Sequence, residues 1–301
     1  MEAPRNDLPL DDALTLYRVE HFATRNFAER TRRDYALDIE DLITYLTGNA
    51  NVTTVQAVTL RHLQGFLGEL DRLGRAGSSR RRKVSSIRSF FLFLTKQKII
   101  ASDPTLDLTP PMREQTQPRV LSEGEYKRLR EAAAYDPRDL AIIEVLLQTG
   151  MRLTELSRLT LKDVDLPQGR ISKEDLGSVT IQGKGRRTRT VTLNWKACRA
   201  IRSYLAIRPK TDSPSLFITK FREGIGPRSI ENVIAKYLAE AGISGASVHT
   251  LRHTMATHMV KGGIKLDIVR QALGHTSLKT TGLYVELARD VMDEEMQKHA
   301  L

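Results

Sequence analysis

The chain has 301 residues, with 47 Lys and Arg against 36 Asp and Glu and a formal net charge of +11. That length suggests about two domains, each able to bury a core, and the basic balance points to a polyanionic partner, nucleic acid ahead of membrane. A single cysteine, Cys198, excludes an intramolecular disulfide and a cysteine-based zinc knuckle. The opening residues MEAPRNDLPLDDAL carry no secretory pattern, and no apolar run approaches the ~20 residues of a spanning helix. A soluble, cytoplasmic protein with no membrane role is expected.

The first domain, residues 1–108, reads as helices with short breaks. Leu10, Ala13, Leu14 and Tyr17 give one periodic face, and Tyr35, Ile39, Leu42, Ile43 and Leu46 give another, ended by Gly48. Thr59 is placed to cap a helix carrying Leu60, Leu63, Phe66, Leu67 and Leu70. A fourth helix buries Val84, Ile87, Phe91 and Leu94, and its start carries Arg80, Arg81, Arg82 and Lys83, with Arg88 further on. Cations at a helix start oppose its dipole, so local stability does not explain them. Phosphate contacts would, against the plainer alternative of a solvated charged face. Residues 109–118, with Pro110-Pro111, form the expected extended linker.

The second domain, residues 119–301, opens with the capping box Ser122 and Glu125. Pro137 starts an apolar helix broken at Thr149-Gly150, after which Arg152 and Glu155 stand three apart as a local pair. In SVTIQGKGRRTRTVTL the period changes to two. A β-hairpin over residues 178–193 is expected, with Lys184 near the turn and Arg186, Arg187 and Arg189 facing nucleic acid. A helix from Trp195 to Leu205 and an amphipathic helix from Ser229 ended by Gly242 follow.

The stretch VHTLRHTMATHMVKGGIKLDIVRQALGHTSLKTTGLYVEL holds four of the seven histidines. His249, Arg252 and His253 share helical spacing, so His249 and Arg252 could face one anion. Ile264, Ile268, Val269 and Leu273 suggest a second helix stopped by Gly274. His275 follows that stop, Thr276 or Ser277 could cap a third helix, and Tyr284 lies nine residues after His275. Arginine binds phosphate oxygens bidentately, histidine moves protons and tyrosine can act as a nucleophile. No Walker loop or dinucleotide fingerprint appears, so no nucleotide cofactor is expected, and no metal.

TGMRLTEL, the GKG hairpin, HTLRH, LGH and the tyrosine beyond it resemble the tyrosine recombinase (phage integrase) family in sequence and order, most closely its Xer-type members. The resemblance implies a mainly helical protein with a small β-sheet or hairpin: a helical, SAM-like core-binding domain and a mixed α/β catalytic domain closing around DNA as a clamp. It implies catalytic roles for Arg152, Lys184, His249, Arg252, His275 and Tyr284, with Glu155 and His253 supporting. The reaction implied is site-specific strand exchange on double-stranded DNA through a 3′-phosphotyrosyl link, needing neither ATP nor metal. Partners implied are a recombination site and further protomers, forming a tetramer on two sites with or without a partner recombinase. The last residues, 289–301, are then expected to insert into a neighbouring protomer. Three alternatives stand beside this: a type IB topoisomerase, a metal-dependent nuclease using His249, His253 and His275, and a non-catalytic DNA-binding accessory protein.

Overall fold

The structure is a computed structural model, and it describes residues 7–24, 27–112, 118–182 and 188–274. The chain divides into two compact units, Met1–Gln115 and Thr116–Leu301. Lys184, Arg186, Arg187, His275, Thr276, Ser277 and Tyr284 lie outside the described residues, as does the tail 289–301.

The first unit is helical. Helix α1 (Leu10–Leu16) runs through a π-helical turn, Tyr17–His21, into the short α2 (Phe22–Thr24). Then come α3 (Glu29–Asn49), a 3-10 turn at Val55–Ala57, α4 (Leu60–Arg72) and α5 (Gly77–Lys96). The apolar stripes read from the sequence meet in one core, with Leu10, Leu14 and Tyr17 against Ile39, Leu42, Leu46, Leu63, Phe66, Ile87, Phe91 and Leu94. Thr59 caps α4 as expected, and His62 Nδ1 answers by accepting the Thr59 amide at 3.3 Å. Gly48 does not end α3, which runs on to Asn49; the left-handed residue beyond it is Asn51, at φ 51°.

The basic start of α5 differs from the expectation. Lys83 is 8% exposed and is no surface cation. Its Nζ donates to Asp38 at 3.0 Å and to Asp41 at 2.5 Å, both on α3. Arg82 donates to Asp38 at 2.5 Å, and Ser86 Oγ donates to the same Asp38 oxygen at 2.7 Å, so one buried carboxylate has three donors. Arg80 pairs with Asp71 at 2.8 Å, and Arg88 donates to the Leu108 carbonyl at 2.6 Å. A carboxylate as buried as Asp38 is costly without compensating cations. Long-range ion pairing therefore accounts for much of a cluster that local helix electrostatics disfavour.

In the second unit the capping box of Ser122 and Glu125 starts α6 (Glu123–Ala132), and Asp136 caps α7 (Pro137–Thr149) with Pro137 at its first position. Helix α7 is buried on nearly all sides, between α9 (Trp195–Ile207) and α11 (Val248–Lys261). Between α7 and α9 lie the one-turn α8 (Leu153–Leu156), a 3-10 turn at Leu161–Asp163, and three strands. These are β1 (Val164–Asp165), β2 (Gly177–Gln182) and β3 (Thr188–Leu193), antiparallel in that order. The hairpin pairs Ser178 with Thr192 and Gln182 with Thr188; β1 was not anticipated. Helices α10 (Pro227–Glu240) and α12 (Leu266–Leu273) complete the unit. Val269 and Leu273 are buried as expected, but Ile264 precedes α12 and Ile268 is exposed. Among the described residues no helix is long and apolar enough to cross a membrane.

Candidate active site

Three separate elements deliver arginines to one place, the C-terminal end of α12. The last carbonyls of a helix lack intrahelical donors and sit at the negative end of its dipole, so they attract cations. Arg189 Nε, from β3, donates to the Ala272 carbonyl at 2.9 Å. Arg252 Nη2, from α11, donates to the Leu273 carbonyl at 2.8 Å. Arg152 Nη2, from the start of α8, donates to the Gly274 carbonyl at 3.3 Å. Consecutive carbonyls thus bind three guanidinium groups remote from one another in sequence.

Gly274 closes α12 in the left-handed region, at φ 65°. A Cβ there would meet Arg189 Nη1 at 3.0 Å, so glycine also lets that guanidinium pass close to the backbone. Gly150 plays the matching part at the end of α7, at φ 58°. A Cβ on it would come within 2.8 Å of Leu273 and 3.1 Å of Met255. Its carbonyl accepts Arg252 Nη1, which leaves this buried arginine held between the ends of α7 and α12.

Glu155 is the anion of the group. Its Oε1 accepts Arg152 Nη1 at 2.9 Å and Arg189 Nη1 at 3.0 Å. Its Oε2 accepts the Arg152 amide at 2.7 Å and Arg189 Nη2 at 2.9 Å. Burial pushes this carboxyl up, but the Arg189 hydrogen bonds, the Arg152 amide and both positive charges outweigh it and hold it below the usual range. The local pair expected between Arg152 and Glu155 is present, and Arg189 extends it. Arg189 does not face solvent for nucleic acid: its side chain is 16% exposed and turned onto Glu155 and α12. The sequence held a hint of the inward direction, though not of the partner. Arg189, Val191 and Leu193 share one parity on β3, and the last two are buried.

His249 is exposed on the first turn of α11, one turn before the half-buried His253. Burial pushes the His253 imidazole down, and the neighbouring His249 and Arg252 push it further the same way. The segment leading into α6 is tied to this helix, because the Leu121 amide donates to Thr254 Oγ1 at 2.9 Å. Among the described residues no three His, Cys, Asp or Glu side chains gather as metal ligands would. The structure brings together Arg152, Glu155 and Arg252 at the end of α12 and adds Arg189 to them, while His249 and His253 share α11 with Arg252. Lys184, His275 and Tyr284 belong to chain outside the described residues, in the β2–β3 connection and after Gly274.

Comparison with known proteins covers both units of the chain. The family model described as the phage integrase family matches residues 119–290, and that of the phage integrase N-terminal SAM-like domain matches residues 16–98. The tyrosine recombinase XerC of Pelobacter propionicus is 31% identical over 297 residues, covering 96% of this chain and 95% of its own. The fold matches the XerH site-specific recombinase bound to a palindromic difH substrate in a post-cleavage complex, with TM-score 0.76, 20% identity, and coverage of 90% of this chain and 80% of that one. It also matches a lambda integrase tetramer bound to a Holliday junction, with TM-score 0.75, 16% identity, and coverage of 93% and 78%. The chain belongs to the phage integrase family, the tyrosine recombinases.

Proposed function

We propose that this tyrosine-type recombinase exchanges strands between two DNA sites through two successive transesterifications, with Tyr284 as nucleophile. In the first, the Tyr284 oxygen bonds to phosphorus as the bond to the 5′-oxygen breaks, leaving a 3′-phosphotyrosyl link and a 5′-hydroxyl. In the second, another strand's 5′-hydroxyl attacks that phosphorus and releases tyrosine. The phosphotyrosyl ester conserves the energy of the broken backbone bond, so religation consumes no nucleotide.

The observation that carries this reading is the convergence of Arg152 and Arg252 on the adjacent carbonyls of Gly274 and Leu273, one residue before His275. Two guanidiniums held there are suited to grip both non-bridging oxygens of a phosphate and to stabilise charge that grows in the transition state. In this mechanism His275 adds a donor to the same oxygens. Lys184 protonates the departing 5′-oxygen, and His249 accepts the proton of Tyr284. Glu155 orients Arg152, and His253 supports its neighbours on α11. Arg80, Arg81, Arg82, Arg88, Arg186 and Arg187 supply backbone contacts to the double helix, a sequence-independent attraction that suits the chain's net charge of +11. The assembly we propose is a tetramer on two sites, formed in the cytoplasm and joined through the tail.

A nicked suicide substrate, which loses its 5′-hydroxyl fragment after cleavage, tests the reading. The chain should accumulate a denaturant-stable covalent adduct, and Tyr284→Phe should bind the same DNA and form none. An adduct with the phenylalanine variant would move the nucleophile elsewhere.

A further inference from the structure

Arg189 stands outside the set of catalytic residues just assigned, yet it joins three parts of the site. It lies on β3, the strand that leaves the Lys184 connection. Its two terminal nitrogens each donate to a different oxygen of Glu155, at 3.0 and 2.9 Å, while its Nε donates to the Ala272 carbonyl at 2.9 Å. The guanidinium fork is thus divided between a buried carboxylate and the helix end that precedes His275. Lysine, with one nitrogen, could not span those acceptors.

The charge balance shows what the arrangement does. A carboxylate has about four lone-pair sites, and all of those on Glu155 are used, two by Arg152 and two by Arg189. Arg152, Glu155 and Arg189 together carry one net positive charge. Without Arg189 the remaining pair would be neutral, and a carboxylate only 6% exposed would keep Arg152 as its sole cation. It would then draw that guanidinium inward or take up a proton, and either change removes Arg152 from a phosphate.

We infer that Arg189 is a positioning residue for strand cleavage, compensating Glu155 so that the Arg152 charge is not spent on that carboxylate and its outer edge is left for the scissile phosphate, while fixing the end of α12 in the same frame. This rests on the recombinase function given above. Burial pushes Glu155 up, and Arg189 is the largest of the influences that overcome it and hold the carboxyl below its usual range. Removing Arg189 raises that pKa, and cleavage then fails at a higher pH as the solution is acidified.

Single-turnover cleavage of the nicked substrate by the full chain tests this, with half-site affinity measured in parallel. Arg189→Ala should bind the half-site as the parent does but cleave on the order of 10- to 100-fold more slowly, the usual cost of losing a charged hydrogen-bonding group. The acid limb of its rate profile should move to higher pH. Combined with Glu155→Gln, its slowing should be clearly less than additive, because the two residues share one carboxylate while the Ala272 contact of Arg189 is lost in either background. Arg189→Lys, which keeps the charge and loses the fork, should fall between parent and alanine variant, and it keeps the test open should the alanine variant fold poorly. Parental rates in either variant overturn the inference. So does a slowing that is equal at every pH and adds fully to that of Glu155→Gln, as purely structural damage would. If the parent chain itself forms no adduct, the recombinase mechanism fails rather than the role of Arg189 within it.

Discussion

Arg252 Nη1 donates to the carbonyl of Gly150, the left-handed residue that ends α7. A helix end thus supplies an acceptor to an arginine 102 residues further along the chain. The turn brings this carbonyl out only because Gly150 adopts φ 58° with α12 packed against it. The buried position of the guanidinium is therefore a property of α7, α11 and α12 together.

That dependence can be tested at both partners. Arg252→Lys keeps a charge but cannot reach Gly150 and Leu273 with one planar fork. It should lower the cleavage rate by on the order of 10²- to 10³-fold, as loss of a transition-state donor does, with half-site affinity little changed. Gly150→Ala should cost about 1 kcal/mol of stability through its positive φ alone, and should also slow cleavage. Thermal unfolding and single-turnover assays measure the two effects. An alanine variant of parental stability and rate would mean that the turn tolerates a side chain.

The basic start of α5 should divide, on the proposed function, into cations that hold the fold and cations that contact DNA. Lys83→Ala strips one of three donors from the buried Asp38 and should cost about 2–3 kcal/mol, read as lost hydrogen-exchange protection in α3 and α5. Arg81 is half-buried, with Nη2 shielded from solvent yet given no hydrogen-bond partner by the fold, so Arg81→Ala strips no donor from a buried carboxylate and should cost less protection than Lys83→Ala. Its effect should appear in DNA binding, as a salt dependence shallower by about one unit of slope. Reversed outcomes for the two residues would overturn this division.

The acid response should carry a mark of His253. Its imidazole is pushed below the ordinary histidine value, first by burial and then by His249 and Arg252. The unfolded chain accepts a proton there that the folded chain resists. This residue's contribution is therefore intact above about pH 6.5, and stability falls as pH drops from there toward the lowered folded value. His253→Gln cannot take up the proton, so its melting temperature should fall less than the parent's between about pH 7 and pH 5. Equal falls would show that His253 titrates normally in the fold.

The tail tests assembly separately from chemistry. Val285, Ala288, Met292 and Met296 recur at helical spacing in the sequence, a pattern that on the proposed function suits docking on a neighbouring protomer. Removing residues 289–301 should leave binding of one protomer to a half-site intact while abolishing cooperative filling of the full site and strand exchange. Gel-shift titration and a recombination assay on paired sites measure these outcomes. Normal assembly by the truncated chain would restrict the tail to its own domain.

The helices and their caps were legible because local chemistry dictates them. Thr59 with its first-turn partner, Ser122 with Glu125, Pro137 at a helix start and Gly274 at a helix end act within a few residues of themselves, as do the 3.6-residue apolar stripes. The hairpin was legible for the same reason, and the order of the motifs implied the family. Side chains whose partners lie far along the chain were not legible. Lys83 reads as a surface cation until α3 brings Asp38 against it, and Arg189 reads as a groove-facing charge until Glu155 and the end of α12 claim its fork. A single sequence shows which residues carry charge. Which of those charges are neutralised at home and which remain for a phosphate was decided by the tertiary structure, because a buried carboxylate takes its cations from whichever elements pack beside it.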